Sequence, residues 1–225
     1  MSGKSTKEPQ YSFMLDIKER YGLARFGLMA NESWSNDPRR TLFTLARYKF
    51  VAKMLSGRDQ VLEVGCADAF GTRLVQQEVT SVTAIDFDPI FIADVQSRID
   101  PRWPLTAFVH DILAGPVVGE FDAAFSLDVL EHIEQKHEDQ FIDNVAASLS
   151  PTGILIIGMP SKESQVYASP QSKEGHVNCK SSPELRKTLQ KKFNSVFMFS
   201  MNDEVVHTGY HPMAHYLLAI CAHLR

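Results

Sequence analysis

Short runs of β-forming residues alternate with helix-like stretches between about residues 60 and 160, and this alternation constrains the fold more than any other feature. The β-forming runs are residues 60–64, 81–85, 105–109, 121–127 and 154–157, with helical apolar spacing at 89–99 and 136–149. Such alternation predicts a doubly wound α/β sheet with right-handed crossovers. The run 154–157 is apolar throughout, which is typical of a strand buried on both faces of a parallel sheet.

The segments on either side complete the predicted architecture. A helix-like stretch precedes the alternating region and two strand candidates follow it, at residues 40–55, 195–200 and 215–221. Ser182 as N-cap and Pro183 at the first helical position predict a further helix. The connection between the last two strands is too short for a helical crossover, so we expect them to pair antiparallel. The sequence thus predicts a mostly parallel seven-stranded sheet with a reversed last strand and helices on both faces.

Composition narrows the class of protein. The chain has 225 residues, 44% hydrophobic and 22% charged, which is typical of a globular protein. Its formal net charge of -4 argues against a nucleic-acid partner. It has neither an apolar stretch near the roughly 18 residues of a membrane span nor an N-terminal signal core, so we expect no membrane partner and a cytoplasmic location. Three separated cysteines without a C-x-x-C pair indicate a reduced chain: Cys66, Cys179 and Cys221.

The first strand leads into a glycine-containing turn with the sequence V-L-E-V-G-C-A-D-A-F-G over residues 61–71. A strand that enters such a turn brings backbone amides to a ligand at a helix N-terminus. A dinucleotide-binding fold would require G-x-G-x-x-G, but Ala67 stands where the second glycine belongs. The turn disfavours a nicotinamide-dependent oxidoreductase and does not by itself specify another ligand.

An acidic residue lies in or near the end of each of the first four predicted strands, a regularity that chance does not readily explain. Glu63 lies in the first strand, Asp86 ends the second and Asp111 ends the third, while Asp128 follows the fourth. The carboxyl ends of parallel strands line one crevice, where carboxylates repel a pyrophosphate and favour cationic groups and hydroxyls. S-adenosylmethionine, with its ammonium, sulfonium and ribose diol, has this chemistry. The alternative is that these acids cap helices or face solvent.

At these residues the chain resembles the class I (Rossmann-like) S-adenosylmethionine-dependent methyltransferases, over about residues 40–160. The segment 63–67 is similar to the first motif of that family, E/D-x-G-x-G-x-G, with Ala67 and Ala69 in place of glycines. The segment 126–132, S-L-D-V-L-E-H, is similar to the family's D-V-L-E-H stretch. The resemblance implies a methyltransferase domain over residues 40–225, preceded by a tail (residues 1–10) and lid segment within residues 1–39.

The resemblance also implies roles for individual residues. Asp86 would bind the ribose, Phe87 would lie against the adenine, and Asp111 would accept a hydrogen bond from the adenine amino group. The full set of implied cofactor-binding residues is Glu63, Gly65, Cys66, Ala67, Asp86, Phe87, Asp111, Ile112, Leu127 and Asp128. Four residues upstream are candidates to close over the methionine carboxylate or the substrate: Trp34, Arg39, Arg40 and Arg47.

Asp128, Glu131 and His132 are spaced i, i+3 and i+4, so on a helical turn they share one face and could hold a divalent metal. The pattern is similar to the E-x-x-E-H site of metal-dependent ubiquinone-pathway and small-RNA-terminus O-methyltransferases, and His176 could be a further ligand. In family members without a metal, the same pattern shapes the pocket. We favour that metal-free interpretation over a magnesium or manganese site.

Two polar segments, residues 160–182 and 202–212, predict a substrate lid rich in hydrogen-bonding groups. Such a lid suits a small hydroxylated acceptor, and we predict O-methylation of a sugar or sugar-nucleotide-like metabolite, as in enzymes that decorate surface polysaccharides. His176 and His132 are the candidate catalytic bases, because imidazole titrates near neutrality. The alternatives are N-methylation of a small metabolite and a non-catalytic cofactor-binding relative.

Overall fold

A computed structural model describes residues 6–225 and contains one eight-stranded mixed sheet. Its strands are β1 (Gln60–Val64), β2 (Ser81–Asp86), β3 (Thr106–Val109), β4 (Phe121–Leu127), β5 (Leu149–Pro160), β6 (Phe193–Asn202), β7 (Val205–His207) and β8 (Tyr216–Leu224). Their order is β3-β2-β1-β4-β5-β8-β6-β7. The first five strands are parallel, and β8 lies antiparallel between β5 and β6.

Helices cover both faces of the sheet. The α-helices are α1 (Phe13–Tyr21), α2 (Leu28–Asn36), α3 (Pro38–Met54), α4 (Thr72–Gln76), α5 (Pro89–Ser97), α6 (Glu138–Ala147), α7 (Pro170–Gly175) and α8 (Ser182–Leu189). Short 3-10 helices occur at Pro9–Tyr11, Leu130–His132, Gln135–His137, Glu163–Tyr167 and His211–Met213. None of the helices within residues 6–225 is long and apolar enough to cross a membrane.

The predicted doubly wound sheet is confirmed, with three differences in detail. The structure adds β7, which forms a hairpin with β6 at the edge of the sheet. The reversed strand β8 is last in the chain but lies inside the sheet. The stretch 160–182, expected to be a loop, contains a 3-10 helix and α7. Part of the predicted tail, residues 1–5, lies outside the described residues, and the rest ends in the 3-10 helix Pro9–Tyr11.

The N-cap of α8 is Ser181, so the prediction of Ser182 was wrong by one residue. The N–H and Oγ of Ser181 both donate to Oε2 of Glu184, at 2.7 and 2.8 Å. Ser181 and Glu184 are three positions apart and form a capping box, which satisfies helix-start donors reciprocally. Pro183 is compatible with this register because its missing N–H falls in the first turn.

The core lies on both faces of the sheet, and β5 shows why. Leu155 and Ile157 pack in a cluster with residues of α6 and α8, whereas Ile156 packs in a second cluster with residues of α3. All three side chains are fully buried, and alternate residues of a strand point to opposite faces. This two-sided burial fixes the carboxyl ends of β1, β2, β3 and β4 along one edge of the sheet, where the order reverses between β1 and β4.

Candidate active site

The turn between β1 and α4 contains three residues in the left-handed region. Gly65, Ala67 and Ala69 have φ values of 76°, 45° and 49°. A Cβ added at Gly65 would lie 2.3 Å from Cγ2 of Val129, so this position requires glycine. The two alanines adopt a conformation that costs an L residue roughly 1–2 kcal/mol. The turn therefore keeps its shape without the usual glycines because other contacts hold it.

Glu63 supplies one of those contacts. Its Oε1 accepts from the Tyr48 hydroxyl at 2.7 Å, and its Oε2 accepts from Oγ1 of Thr72 at 2.6 Å. Only 1% of Glu63 is exposed, and this burial raises the pKa of its carboxyl to about 7 despite both hydrogen bonds. The carboxylate thus ties β1 to α3 and α4 and holds the turn. That Glu63 also binds the cofactor stays a prediction.

Asp86 ends β2 and supplies the other contact. Its Oδ2 accepts from the Ala67 N–H at 2.8 Å, and its Oδ1 accepts from the Asp88 N–H at 2.9 Å. Each carboxylate oxygen has a second lone pair and can accept one more hydrogen bond. Asp86 is therefore fixed against the turn and keeps the acceptors that a ribose diol needs.

The neighbouring strand end provides groups that fit an adenine. Phe87 follows Asp86 and is 74% exposed, so its ring is available for stacking. Asp111 is exposed beyond β3, and its Oδ1 accepts from the Leu113 N–H at 2.9 Å, which leaves Oδ2 free of protein partners within the described chain. These residues match the groups of an adenosine: the Asp86 carboxylate can accept from the ribose hydroxyls, the Phe87 ring can stack on the adenine, and Oδ2 of Asp111 can accept from the adenine amino group.

Asp128 follows β4 and is paired with Arg47. Nη1 of Arg47 lies 2.8 Å from both carboxylate oxygens of Asp128, and the guanidinium stacks over the Tyr216 ring at 3.9 Å. Of the four upstream candidates, Arg47 therefore reaches the edge of the crevice. Arg39 and Arg40 instead form surface ion pairs with Asp37 and Glu32, and Trp34 packs against Phe26.

His132 and His176 lie together beyond β4, with ring centroids 5.2 Å apart. Nδ1 of His132 lies 2.8 Å from the Gly175 carbonyl oxygen, and Nδ1 of His176 lies 2.8 Å from Oε1 of Gln165. Because both partners are acceptors, each Nδ1 carries a proton, and the neutral form of such a ring has its lone pair on Nε2. Burial and the neighbouring His132 lower the pKa of His176, which favours the neutral ring.

Glu131 lies beside the two histidines and is fully buried. Neither of its carboxylate oxygens has a hydrogen-bond partner among residues 6–225. Burial, helped by the charge of Asp128, raises the pKa of Glu131 well above its ordinary value. Its carbonyl oxygen accepts from the Val177 and Asn178 N–H groups at 2.8 and 3.0 Å, which joins the segment after His176 to the end of β4.

One ligand atom from each of Glu131, His132 and His176 lies within 4.8 Å of the others, so these three residues could hold a divalent cation. Asp128, the first member of the set considered from spacing, is occupied by Arg47 instead. The two predicted lid segments also meet, because the 3-10 helices Glu163–Tyr167 and His211–Met213 pack against each other.

The sequence analysis missed several residues that shape this site: Tyr48, Thr72, Gln165 and Tyr216. Each acts through a partner in another part of the fold, as Gln165 does on His176 and Tyr216 does on Arg47. No local spacing identifies such pairs. Only Tyr48 carried a sequence signal, since it lies on the buried face of a helix that periodicity predicted.

Comparison with known proteins identifies methyltransferases that resemble this chain. A family model described as "Methyltransferase domain" matches residues 61–153. A probable S-adenosylmethionine-dependent methyltransferase of Mycolicibacterium smegmatis is 27% identical over 117 residues, which are 51% of this chain and 43% of the relative. The chain thus spans less than half the length of that relative.

Two further likenesses extend over more of the chain. A ubiquinone biosynthesis O-methyltransferase of Xanthomonas axonopodis pv. citri is 27% identical over 155 residues, 65% of this chain and 63% of the relative. The crystal structure of the N-methyltransferase NodS from Bradyrhizobium japonicum WM9 with S-adenosyl-L-homocysteine has a similar fold, with a TM-score of 0.60 and 22% identity over 84% of this chain and 90% of that one. Residues 61–153 are therefore a methyltransferase domain with the class I (Rossmann-like) fold, and the relatives support S-adenosylmethionine as its cofactor.

Proposed function

We propose that this protein transfers a methyl group from S-adenosylmethionine to a hydroxyl of a small polar metabolite, a sugar or sugar-nucleotide-like acceptor. The observation that carries the proposal is the pair His132 and His176, fixed through Nδ1 beside the end of β4 and next to the polar lid. A hydroxyl is a poor nucleophile while protonated, and a neutral imidazole is suited to remove its proton. Decoration of a surface polysaccharide or its precursor is one setting for such a reaction.

When bound, the cofactor supplies a methyl carbon activated by the sulfonium. The chain's own residues must then position the acceptor in line with that carbon, because proximity supplies much of the rate. We assign proton removal to Nε2 of His176, which takes the hydroxyl proton as the new C–O bond forms and the C–S bond breaks. The products are a methyl ether and S-adenosylhomocysteine. Gln165 fixes the His176 tautomer, and His132 is the second candidate base.

Single-turnover rates of methyl transfer to an acceptor that the protein methylates test this assignment. We expect His176→Ala to lower the rate by about 10²-fold or more, the typical contribution of a general base. His137→Ala is the matched control, because this imidazole lies on the chain between the two candidates but outside their cluster. S-adenosylhomocysteine affinity is measured in parallel. Near-parental rates for both His176→Ala and His132→Ala would show that positioning alone suffices.

A metal-assisted version of the same reaction is the second candidate, and one observation favours it. Glu131 has two buried oxygens without partners beside two imidazoles, a donor set that fits a divalent cation. Glu131, His132 and His176 would hold the ion, which would lower the pKa of an acceptor hydroxyl. Metal-free catalysis remains our first proposal, because a positioned hydroxyl and a neutral imidazole base account for the transfer of an already activated methyl group.

There are two alternatives. The protein could be an enzyme that methylates a nitrogen, or a protein that binds the cofactor without catalysing a reaction. The polar lid and the histidine pair support a hydroxyl acceptor over both. Incubation of the protein with labelled S-adenosylmethionine and a set of sugar nucleotides separates an enzyme from the non-catalytic role, since only an enzyme adds one methyl mass to an acceptor. Tight binding of S-adenosylhomocysteine without any transfer would favour the non-catalytic role.

A further inference from the structure

A second cavity lies on the face of the sheet covered by α4 and α5, apart from the strand-end crevice. It has a volume of about 720 Å³, opens to solvent and is lined by the N-terminal segment 20–25, α4, the end of α5 and the loop before β3. Small-molecule sites typically have volumes of about 300–1,000 Å³. Asp86, Phe87 and Asp111 do not line it, although Asp68 and Phe70 form part of its wall.

Five arginines line this cavity in a chain whose net charge is -4: Arg20, Arg25, Arg73, Arg98 and Arg102. Two of them are neutralised. Arg98 pairs with Asp94 at 2.7 Å, and Arg102 pairs with Asp100 at 2.5 Å. The other three form no ion pair with any carboxylate among residues 6–225.

The remaining acid at the wall does not offset this charge by direct contact. Asp68 is 5% exposed, and its carboxylate accepts from the Ala30 N–H at 2.7 Å and the Phe70 N–H at 3.1 Å. It is therefore committed to the backbone of α2 and of the turn after β1. The cavity retains an excess of guanidinium groups over carboxylates.

Aromatic rings hold two of the guanidinium groups in place. Arg73 lies over the Trp103 ring at 5.7 Å from its centroid, and Arg102 lies over the Tyr21 ring at 4.1 Å. Stacking fixes the plane of the Arg73 guanidinium while its N–H edge stays free for an oxyanion, whereas the N–H groups of Arg102 already donate to Asp100. Planar forks of N–H donors match phosphate oxygens in pairs.

We propose that this cavity is a second binding site that takes a small ligand carrying a pyrophosphate or two neighbouring phosphates. Three guanidinium groups without carboxylate partners suit a multiply charged anion better than a single carboxylate. Arg20 and Arg25 come from the N-terminal segment, whereas Arg73 comes from α4. A ligand held between them joins the N-terminal segment to the body of the domain.

The two tryptophans of the chain allow a direct test, since Trp103 lines the cavity and Trp34 does not. In a Trp34→Phe background, Trp103 is the only tryptophan, and its fluorescence is titrated with inorganic pyrophosphate. We expect a saturable change that persists when S-adenosylhomocysteine saturates the cofactor site. Loss of a charge-assisted contact in Arg73→Gln or Arg25→Gln should weaken the affinity about tenfold or more.

Arg186→Gln is the matched control, because Arg186 is an exposed arginine on α8, away from the cavity. It should leave the affinity unchanged. No saturable response, competition by S-adenosylhomocysteine, or equal affinity in Arg73→Gln and Arg25→Gln would each overturn the proposal. Citrate that bound as tightly as pyrophosphate would overturn the preference for phosphate. Slower backbone hydrogen exchange in residues 13–25 with pyrophosphate would support the bridging role.

Discussion

Asp86 links the shape of the turn to the predicted ribose contact. Its two oxygens hold the Ala67 and Asp88 amides and retain lone pairs for a diol. We expect Asp86→Ala to weaken S-adenosylhomocysteine by about 10–100-fold or more, since a hydrogen bond to a charged group contributes roughly 1.5–3 kcal/mol. Isothermal titration calorimetry measures the affinity, with Asp88→Ala as the neighbouring control. Unchanged affinity in Asp86→Ala would remove Asp86 from the ribose site.

We expect the buried carboxyl of Glu63 to make the free energy of unfolding depend on pH. The folded pKa of about 7 lies above the ordinary 4.5, so the folded state binds more protons than the unfolded state between these values. Stability is therefore greatest below pH 4.5 with respect to this group and is lost as pH rises towards 7, by about 3 kcal/mol in all. In Glu63→Gln, an uncharged group meets the same two hydroxyls, and this loss should disappear.

Urea unfolding of the parent and Glu63→Gln between pH 4.5 and 8 checks the effect. The variant should gain stability relative to the parent as pH rises. Glu120→Gln provides the comparison for an exposed acid. If the parent and Glu63→Gln follow the same pH profile, Glu63 does not carry the buried charge.

At the residue scale, the strand-end acids could be predicted because a parallel sheet brings consecutive strand ends to one edge. The roles of their partners could not. Arg47 and Asp128 are 81 positions apart, and their ion pair depends on how α3 lies against the end of β4. The left-handed Ala67 was also invisible to the glycine pattern, because the Asp86 carboxylate stabilises that turn from another strand.

At the scale of elements, a buried ion pair holds the segment after His176 against α6. Nζ of Lys180 lies 2.6 Å from Oε2 of Glu138, and both side chains are less than a tenth exposed. Asn178 and Thr188 donate to the same carboxylate at 2.9 and 3.1 Å. We expect Lys180→Met to destabilise the fold by about 3–5 kcal/mol, because it leaves a buried carboxylate without its cation.

Urea unfolding measures this loss, and the double variant Lys180→Met/Glu138→Gln is the informative companion. Removal of both charges should recover much of the stability that the single variant loses. A loss below about 1 kcal/mol in Lys180→Met would mean that water or a neighbouring group compensates the charge.

Where the apolar periodicity and the helix- or strand-ending residues were clear, the sequence predicted the bounds of the elements. The bounds of β1 and β4 agree with the sequence analysis, and α6 falls within its predicted stretch. The start of α8 was missed by one residue, since two adjacent serines offer equivalent N-caps until Glu184 is considered. The position of β8 between β5 and β6 arises from tertiary pairing, which no local pattern of residues 215–221 specifies.

For the whole molecule, the doubly wound fold was predictable because strand and helix alternate over a hundred residues. The arginine-lined cavity was not, since its residues come from positions as distant as Arg20 and Arg102. The two lid segments were predicted separately, and the contact between their 3-10 helices could not be predicted from either segment alone.

A test of the intact enzyme separates the two candidate mechanisms. We expect exhaustive dialysis against EDTA to leave the methylation rate unchanged, because the metal-free mechanism needs no ion. The rate is measured before and after dialysis, with magnesium or manganese added back in a third sample. Loss on dialysis and recovery with either ion would replace the first mechanism with metal-assisted activation at Glu131, His132 and His176.

The most direct test of the central claim is the chemical identity of the atom that receives the methyl group. The protein is incubated with S-adenosylmethionine labelled with ¹³C at the methyl and with sugar nucleotides and related polar metabolites. The carbon chemical shift of the transferred methyl then distinguishes an O-methyl ether from an N-methyl amine. The account predicts an O-methyl signal that is lost in Asp86→Ala and strongly reduced in His176→Ala. An N-methyl signal would contradict it, as would an O-methyl signal that is as intense in both variants as in the parent protein.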